Sequence, residues 1–321
     1  MRRFPSLLMA PPRWTDDDIP DQSERVMVVT GANSGLGYET TRALAHRGAH
    51  VIMACRNLDK ARNAAHRLEA ENIAGQVEAW PLDLANLSSI EAFAERFESE
   101  HDHLHGLCNN AGVMALPYGK TVDGFETQLG VNHLGHYALV GRLLSVLMAT
   151  DGSRVVTVSS LMHRVGRMRW DDLHGERRYR RWDAYGQSKL ANLLFTFELH
   201  RRLEAAKAET MAVASHPGYA ATNLQFGWSG GRRDGLRMRM LAGINRIAAQ
   251  SAAQGALPSL YALTADDVRG GEFFGPSGPM ETRGFPTRVE ASARANDTDA
   301  AAKLWAISQR QTGVRYDALS N

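Results

Sequence analysis

Cysteine is scarce: Cys55 and Cys108 are the only 2 among 321 residues, and they form no CxxC pair. That excludes a disulfide framework or a thiol-built zinc site, and it suits a reducing compartment, so a cytoplasmic protein is expected. Long apolar runs are also missing. No stretch reaches the roughly 18 residues that a membrane span requires. The first residues carry Arg2 and Arg3, but their apolar part is short and Pro5 interrupts it, so they make a poor signal peptide. With Pro11, Pro12 and Asp16-Asp17-Asp18 following, residues 1–22 are expected to form an extended leader. Charge of one sign is missing too: the net value is +2, too even to argue for nucleic acid. The 12 histidines are scattered, and the His101, His103, His105 alternation has no cysteine or carboxylate partner at useful spacing and reads as a loop before a strand, so no metal is expected.

What is present is an alternation. Val26-Met27-Val28-Val29 precedes a helical pattern from Gly35 to Arg47. His50 to Met53 precedes Leu58 to Glu71, and Val77 to Trp80 precedes Ser88 to Glu100. Leu104 to Cys108, a long helical stretch from about Gly124 to Ala149, Arg154 to Val158, a helix from Asp183 to Ala206 and a strand from Met211 to Ala214 continue the series. Strands alternating with helices predict βαβ units, and nearly all-apolar strands predict a parallel sheet covered on both faces. The expectation is one α/β domain over residues 23–321, a Rossmann-type doubly wound sheet. Further on, residues 251–263 read as a helix and Gly271 to Gly275 as a short last strand.

Directly after the first strand stands Thr30-Gly31-Ala32-Asn33-Ser34-Gly35-Leu36-Gly37. Glycines in that spacing permit a tight turn, backbone approach to a phosphate, and close helix–sheet packing. Amides at the following helix start then face a pyrophosphate, so Gly31, Asn33, Ser34, Gly35, Leu36 and Gly37 are candidate dinucleotide contacts. The second strand ends at Ala54-Cys55-Arg56-Asn57, where an NAD enzyme usually carries an acid. Arg56 offers a planar cation for a 2′-phosphate instead, which favours NADP while leaving NAD open. Asp83 and Leu84 after the third strand are candidates for the adenine edge, and Asn110, Ala111 and Gly112 after the fourth lie where open α/β sheets bind ligands.

Tyr185 and Lys189 are spaced to share one helix face. Bringing a phenol from about 10 toward neutrality takes roughly 4 kcal/mol, about what one cation at ~4 Å supplies at an effective dielectric of ~20. Ser159 and Ser160 close the fifth strand, and Asn132 falls at mid-helix, an unfavourable place for Asn unless it has a local role.

Taken in order, Thr30-Gly31-x-x-x-Gly35-x-Gly37, Asn109-Asn110-Ala111-Gly112, Ser160, Tyr185-x-x-x-Lys189 and Pro217-Gly218-x-x-x-Thr222 resemble the short-chain dehydrogenase/reductase family over residues 25 to about 225. The resemblance implies Tyr185 as general acid/base, Ser160 on the substrate oxygen, Lys189 on the nicotinamide ribose, and Asn132 holding a water. It also implies Pro217, Gly218, Tyr219 and Thr222 beside the nicotinamide carboxamide, and a homodimer paired through the Tyr185 helix. Of the two serines it implies the second.

The insert Leu161 to Ala184 is longer than in compact members. With Ala54 to Asn57 and Ser188 to Asn192, it is similar to the retinol-dehydrogenase-like branch, which implies an apolar alcohol or carbonyl substrate of retinoid, steroid or lipid type. A cofactor-sensing regulatory protein on the same fold is the alternative, and such proteins often lose the Tyr or the Lys. The arginines of the insert read either as an anion site or as a solvated loop paired with Asp171, Asp172, Glu176 and Asp183. His163 is placed to reach substrate. Residues 224–250 are expected to form a lid, arginines outward and methionines inward, with association to a membrane surface as the other reading of that basic amphipathic stretch.

Overall fold

The computed structural model describes residues 13–219 and 250–319. Thr222, nearly all of the expected lid and residues 1–12 of the expected leader lie outside the described residues.

Eight strands form one sheet in the order β3-β2-β1-β4-β5-β6-β7-β8. They are β1 (Val26–Thr30), β2 (His50–Cys55), β3 (Gln76–Pro81), β4 (Gly106–Asn109), β5 (Arg154–Val158), β6 (Met211–Ser215), β7 (Phe273–Pro276) and β8 (Pro286–Arg288). Every pairing from β3 through β7 is parallel, and β8 closes the edge antiparallel to β7. The strand order reverses between β1 and β4, the switch point at which such sheets open a ligand crevice.

The apolar strands are covered on both faces, and alternation along each strand divides its residues between two cores. Val28, Ile52, Trp80, Leu107 and Val155 point into one cluster. It also takes side chains from α3 (Leu87–Glu100), α5 (Gly135–Arg142), α7 (Arg181–Ala205) and α9 (Thr298–Thr312). Met27, Val29, Val51, Met53 and Val156 point into the other. Here α1 (Gly35–His46), α2 (Leu58–Glu69) and α8 (Ala252–Thr264) supply the cover. Each fully buried aliphatic chain contributes about 1.5–3 kcal/mol, so the sheet is a rigid platform for the loops at its carboxyl edge.

Several expectations are corrected. The helix expected from Gly124 to Ala149 is divided: α4 (Thr127–Leu129) runs into a π-turn over Gly130–Leu134, then into α5, and α6 (Leu144–Met148) follows. β7 is not the last strand, because β8 pairs with it and α9 follows. The leader is not extended throughout. Asp16–Asp18 form a turn of 3-10 helix, Ile19 is buried, and Trp14 packs edge-on against Tyr261 with ring centres 5.1 Å apart. Among the described residues, no helix is long and apolar enough to cross a membrane.

Candidate active site

The glycine loop and the turn after β4 meet above the switch point. Gly31 adopts φ 67°, the left-handed region, and a Cβ there would stand 3.0 Å from Ala111 Cα. A Cβ on Gly37 would lie 2.5 Å from both the Gly31 carbonyl oxygen and Asn110 Nδ2, so only glycine lets the helix start this close. Thr30 ties the two loops together: its Oγ1 accepts from the Asn110 amide at 3.0 Å and the Ala111 amide at 2.9 Å. Asn110 Nδ2 in turn donates to the Thr30 carbonyl at 2.7 Å.

No side chain caps the start of α1 at Ser34, so its first amides remain open to an anion. Arg56 is exposed at the end of β2 and makes no hydrogen bond or ion pair among the described residues. Asp59, the nearest following acid, leans 3.9 Å from Arg62 instead. Asp83 is half-buried and accepts from the Ala85 amide at 3.0 Å, and Leu84 is buried. Open amides, an exposed cation without a partner among the described residues and a cleared backbone approach fit a phosphorylated dinucleotide.

The proton-handling residues converge at the end of β5. Ser160 is half-buried and its side chain hydrogen-bonds Tyr185, whereas Ser159 is buried and donates to the Lys189 carbonyl at 2.8 Å. The second serine is therefore the one facing the phenol. Lys189 Nζ lies 5.9 Å from the centre of the Tyr185 ring and donates to the Val158 carbonyl at 2.9 Å. A Cβ on Gly112 would stand 3.5 Å from Lys189 Nζ and 3.3 Å from Asn132 Oδ1, so glycine there keeps space open beside the ammonium.

Asn132 sits in the π-turn, where its Oδ1 accepts from the Val113 amide at 2.8 Å and its Nδ2 donates to the Val113 carbonyl at 2.9 Å. Nδ2 also donates to Ser188 Oγ at 2.9 Å. The mid-helix asparagine thus ties the loop after β4 to α7.

Burial governs the electrostatics. It pushes the Tyr185 phenol up to about 12, with the Ser160 hydrogen bond opposing, and lowers Lys189 to about 8. The expectation of a phenol made acidic by its lysine is not met by the chain alone. Desolvation of the fully buried phenol prevails over the Ser160 hydrogen bond that opposes it.

On the nicotinamide side, Gly218 has φ 64° and a Cβ there would lie 2.5 Å from the Thr282 carbonyl oxygen. The Tyr219 amide donates to that carbonyl at 2.8 Å, and its ring is partly exposed.

Sequence reasoning passes over His136. Its ring is fully buried, with Nδ1 3.1 Å from the Asn132 carbonyl and Nε2 3.0 Å from Thr30 Oγ1. A carbonyl only accepts, so Nδ1 carries the proton and Nε2 accepts from the Thr30 hydroxyl. One imidazole therefore connects the glycine-loop strand to the π-turn carbonyl. The spacing of four residues from Asn132 was its only sequence signal.

His163 does not reach substrate. Nδ1 sits 2.7 Å from the Ser160 carbonyl and Nε2 accepts from the Ser292 amide at 3.2 Å, so both nitrogens are occupied. Much of the insert is a paired, docked loop. Arg164 meets Glu281 at 2.7 Å, Arg169 meets Asp172 at 2.7 Å, and Arg177 meets Asp171 at 3.6 Å. Tyr179 anchors the insert by donating to the Leu116 carbonyl at 2.9 Å.

A glycine loop with open helix amides at the switch point, beside a buried Tyr, Lys and Asn and a half-buried Ser, defines a nicotinamide-dependent dehydrogenase or reductase. Comparison with known proteins agrees. The short chain dehydrogenase family matches residues 25–230. Retinol dehydrogenase 12 of Mus musculus is 41% identical over 295 residues, covering 91% of this chain and 88% of its own. Retinol dehydrogenase 11 of Homo sapiens is 42% identical over 295 residues, covering 91% and 87%. A crystal structure of a Mycobacterium paratuberculosis protein superposes with a TM-score of 0.78 at 44% identity, covering 95% of this chain and 99% of that one. The chain belongs to the short-chain dehydrogenase/reductase family, in its retinol-dehydrogenase-like branch, and is an NAD(P)-dependent oxidoreductase of alcohol and carbonyl groups.

Proposed function

We propose that this protein interconverts an apolar alcohol with its aldehyde or ketone, prefers NADP, and uses Tyr185 as the proton-transfer group. The observation that carries the reading is the buried Tyr185 phenol, hydrogen-bonded to Ser160 and one helical turn from Lys189. When bound, the nicotinamide supplies the hydride and, once oxidised, a positive charge near the phenol.

With its phenol raised to about 12, Tyr185 holds its proton at neutral pH, as the acid in carbonyl reduction must. Ser160 Oγ, beside that phenol, donates to the substrate oxygen and aims it at the proton. Lys189 carries the ammonium that favours departure of the proton and binds the ribose. Asn132, set in the π-turn, holds the water through which Tyr185 is reprotonated.

Arg56 supports NADP: it is a guanidinium without a partner among the described residues, at the end of the strand that usually presents an acid to the NAD ribose. An apolar substrate is supported by the rim. Among the described residues the exposed large apolar side chains are Tyr118, Val122, Val165, Trp182, Tyr219 and Met280. All six lie in segments that follow the carboxyl ends of β4 to β7. We place the protein in the cytoplasm, since the free thiols of Cys55 and Cys108 suit a reducing compartment.

The test is a panel of aldehydes and ketones with NADPH and NADH side by side, run on the wild type and Tyr185→Phe. Turnover falls by about a thousandfold in the variant while NADPH still binds. Undiminished turnover in Tyr185→Phe overturns the mechanism.

A further inference from the structure

Once the ion pairs are assigned, Arg167, Arg178 and Arg180 of the insert keep no side-chain partner among the described residues, and of these Arg180 lines the space next to Trp182. Arg180 is exposed and its side chain has no hydrogen-bond or ion-pair partner among the described residues. It lines an open vestibule of about 580 Å³ together with Pro117, Tyr179, Arg181, Trp182 and Asp183. Trp182 is half-exposed in that space and meets the Tyr185 ring edge-on, with centres 6.3 Å apart. Tyr118, also exposed, stands edge-on to Tyr179 at 5.2 Å and extends the aromatic wall.

Large exposed indoles are costly in water, and this one borders the reacting phenol. Its occupant is therefore the part of the substrate that extends outward from the carbonyl. The charges are arranged asymmetrically. Asp183 lies in the first turn of α7, where its carboxylate complements the positive end of the helix. Arg180 precedes the helix and has no such compensation.

We infer that the substrate is an apolar carbonyl compound with an acidic group at its far end, its body held by Trp182 and its acid by Arg180. This rests on the oxidoreductase reading above but goes beyond it, because an apolar pocket alone asks for no anion. No bond is made or broken in the vestibule. Trp182 and Arg180 bind and orient, so their effect falls on KM before kcat.

The experiment compares a medium-chain ω-oxo carboxylic acid with its methyl ester and with a short alkyl aldehyde, all with NADPH. The wild type prefers the acid over the ester through a lower KM. Arg180→Ala reduces that preference about fivefold, the scale of an exposed charge pair, and added salt reduces it likewise. Arg178→Ala, another exposed arginine of the insert, leaves the preference in place. Trp182→Ala lowers kcat/KM about tenfold for acid and ester alike, more than for the short aldehyde, and Trp182→Phe restores most of it.

Equal kinetics for acid and ester, or a preference that survives Arg180→Ala, overturns the inference. Calorimetric titration of the NADPH-loaded protein with a medium-chain fatty acid and its methyl ester tests the same contact without turnover. If no aldehyde reacts, the oxidoreductase reading fails. The acid contact then stands or falls on whether Arg180→Ala weakens fatty-acid binding.

Discussion

The Lys189 ammonium donates to the Val158 carbonyl at 2.9 Å while standing 5.9 Å from the Tyr185 ring centre, so it is held by the strand and not by the phenol. A charge buried with one hydrogen bond among the described residues has a stability cost. Burial lowers the lysine from its ordinary 10.5 to about 8, which corresponds to roughly 3 kcal/mol against the folded state at neutral pH.

Lys189→Met is accordingly expected to stabilise the protein while abolishing turnover. The Val158 carbonyl is not orphaned, because Asn192 Nδ2 also donates to it at 3.0 Å. The sign follows from linkage. Below about 8 both folded and unfolded chains hold the proton and the full cost is present; between about 8 and 10.5 the folded chain releases it first and stability rises with pH. The gain from Lys189→Met is thus largest near pH 7 and fades above pH 10. Urea denaturation of both proteins across that range checks it, and a destabilised variant at pH 7 contradicts it.

Arg56→Ala is expected to weaken NADP binding by about tenfold or more, with little effect on NAD. The side chain has nothing to lose within the described fold, being exposed and unpaired, so any defect reports on the ligand. Dissociation constants for both dinucleotides from protein fluorescence provide the measurement. Equal weakening of both removes the phosphate-clamp reading.

Strands buried on both faces must be apolar, which is why β1 to β6 were legible as short runs between helical patterns. The glycine loop was legible because its spacing is dictated by close backbone approach, as the 2.5 Å contact at Gly37 shows. The π-turn around Asn132 was not, since nothing in a helical pattern announces one extra residue in a turn. β8 is three residues long at an edge and ends in an arginine, too brief for alternation to register. α9 did carry a signal: Asp297 accepts from the Ala300 amide as an N-cap, and Ala301, Leu304, Trp305 and Ser308 recur on one buried face. The insert was ambiguous because a count of arginines does not show which have partners, and Glu176 pairs with Lys120 at 2.6 Å instead of with any arginine.

Gly37→Ala is expected to damage cofactor binding and stability together. Its new methyl would stand 2.5 Å from the Gly31 carbonyl oxygen, which is backbone and cannot rotate away. Relieving the overlap shifts the glycine loop, at a cost of about 1–3 kcal/mol. NADPH affinity falls by at least about tenfold, and the melting temperature drops by several degrees. An alanine variant with wild-type affinity shows that α1 has more room than its contacts allow.

Three buried histidines predict that the fold fails in mild acid. Burial lowers His133 to about 3, with His136 adding to it. Burial likewise lowers His136 and His163 to about 4, from an ordinary 6.5. His136 and His163 are each also bound on both ring nitrogens, so protonation would break a hydrogen bond as well as bury a charge. Above pH 6.5 all three are neutral in both states and cost nothing. As pH falls below 6.5 the unfolded chain takes up protons that the folded chain refuses until about 4 or lower, so stability is lost over that window. The three together amount to something on the order of 10 kcal/mol, comparable with the ordinary net stability of about 5–15 kcal/mol. Circular dichroism between pH 7.5 and pH 4 should therefore show cooperative unfolding before pH 4. His163→Asn should move the transition to lower pH relative to its own stability at pH 7.5. A protein equally resistant to urea at pH 4.5 and pH 7.5 would mean that water or a counter-ion reaches these rings.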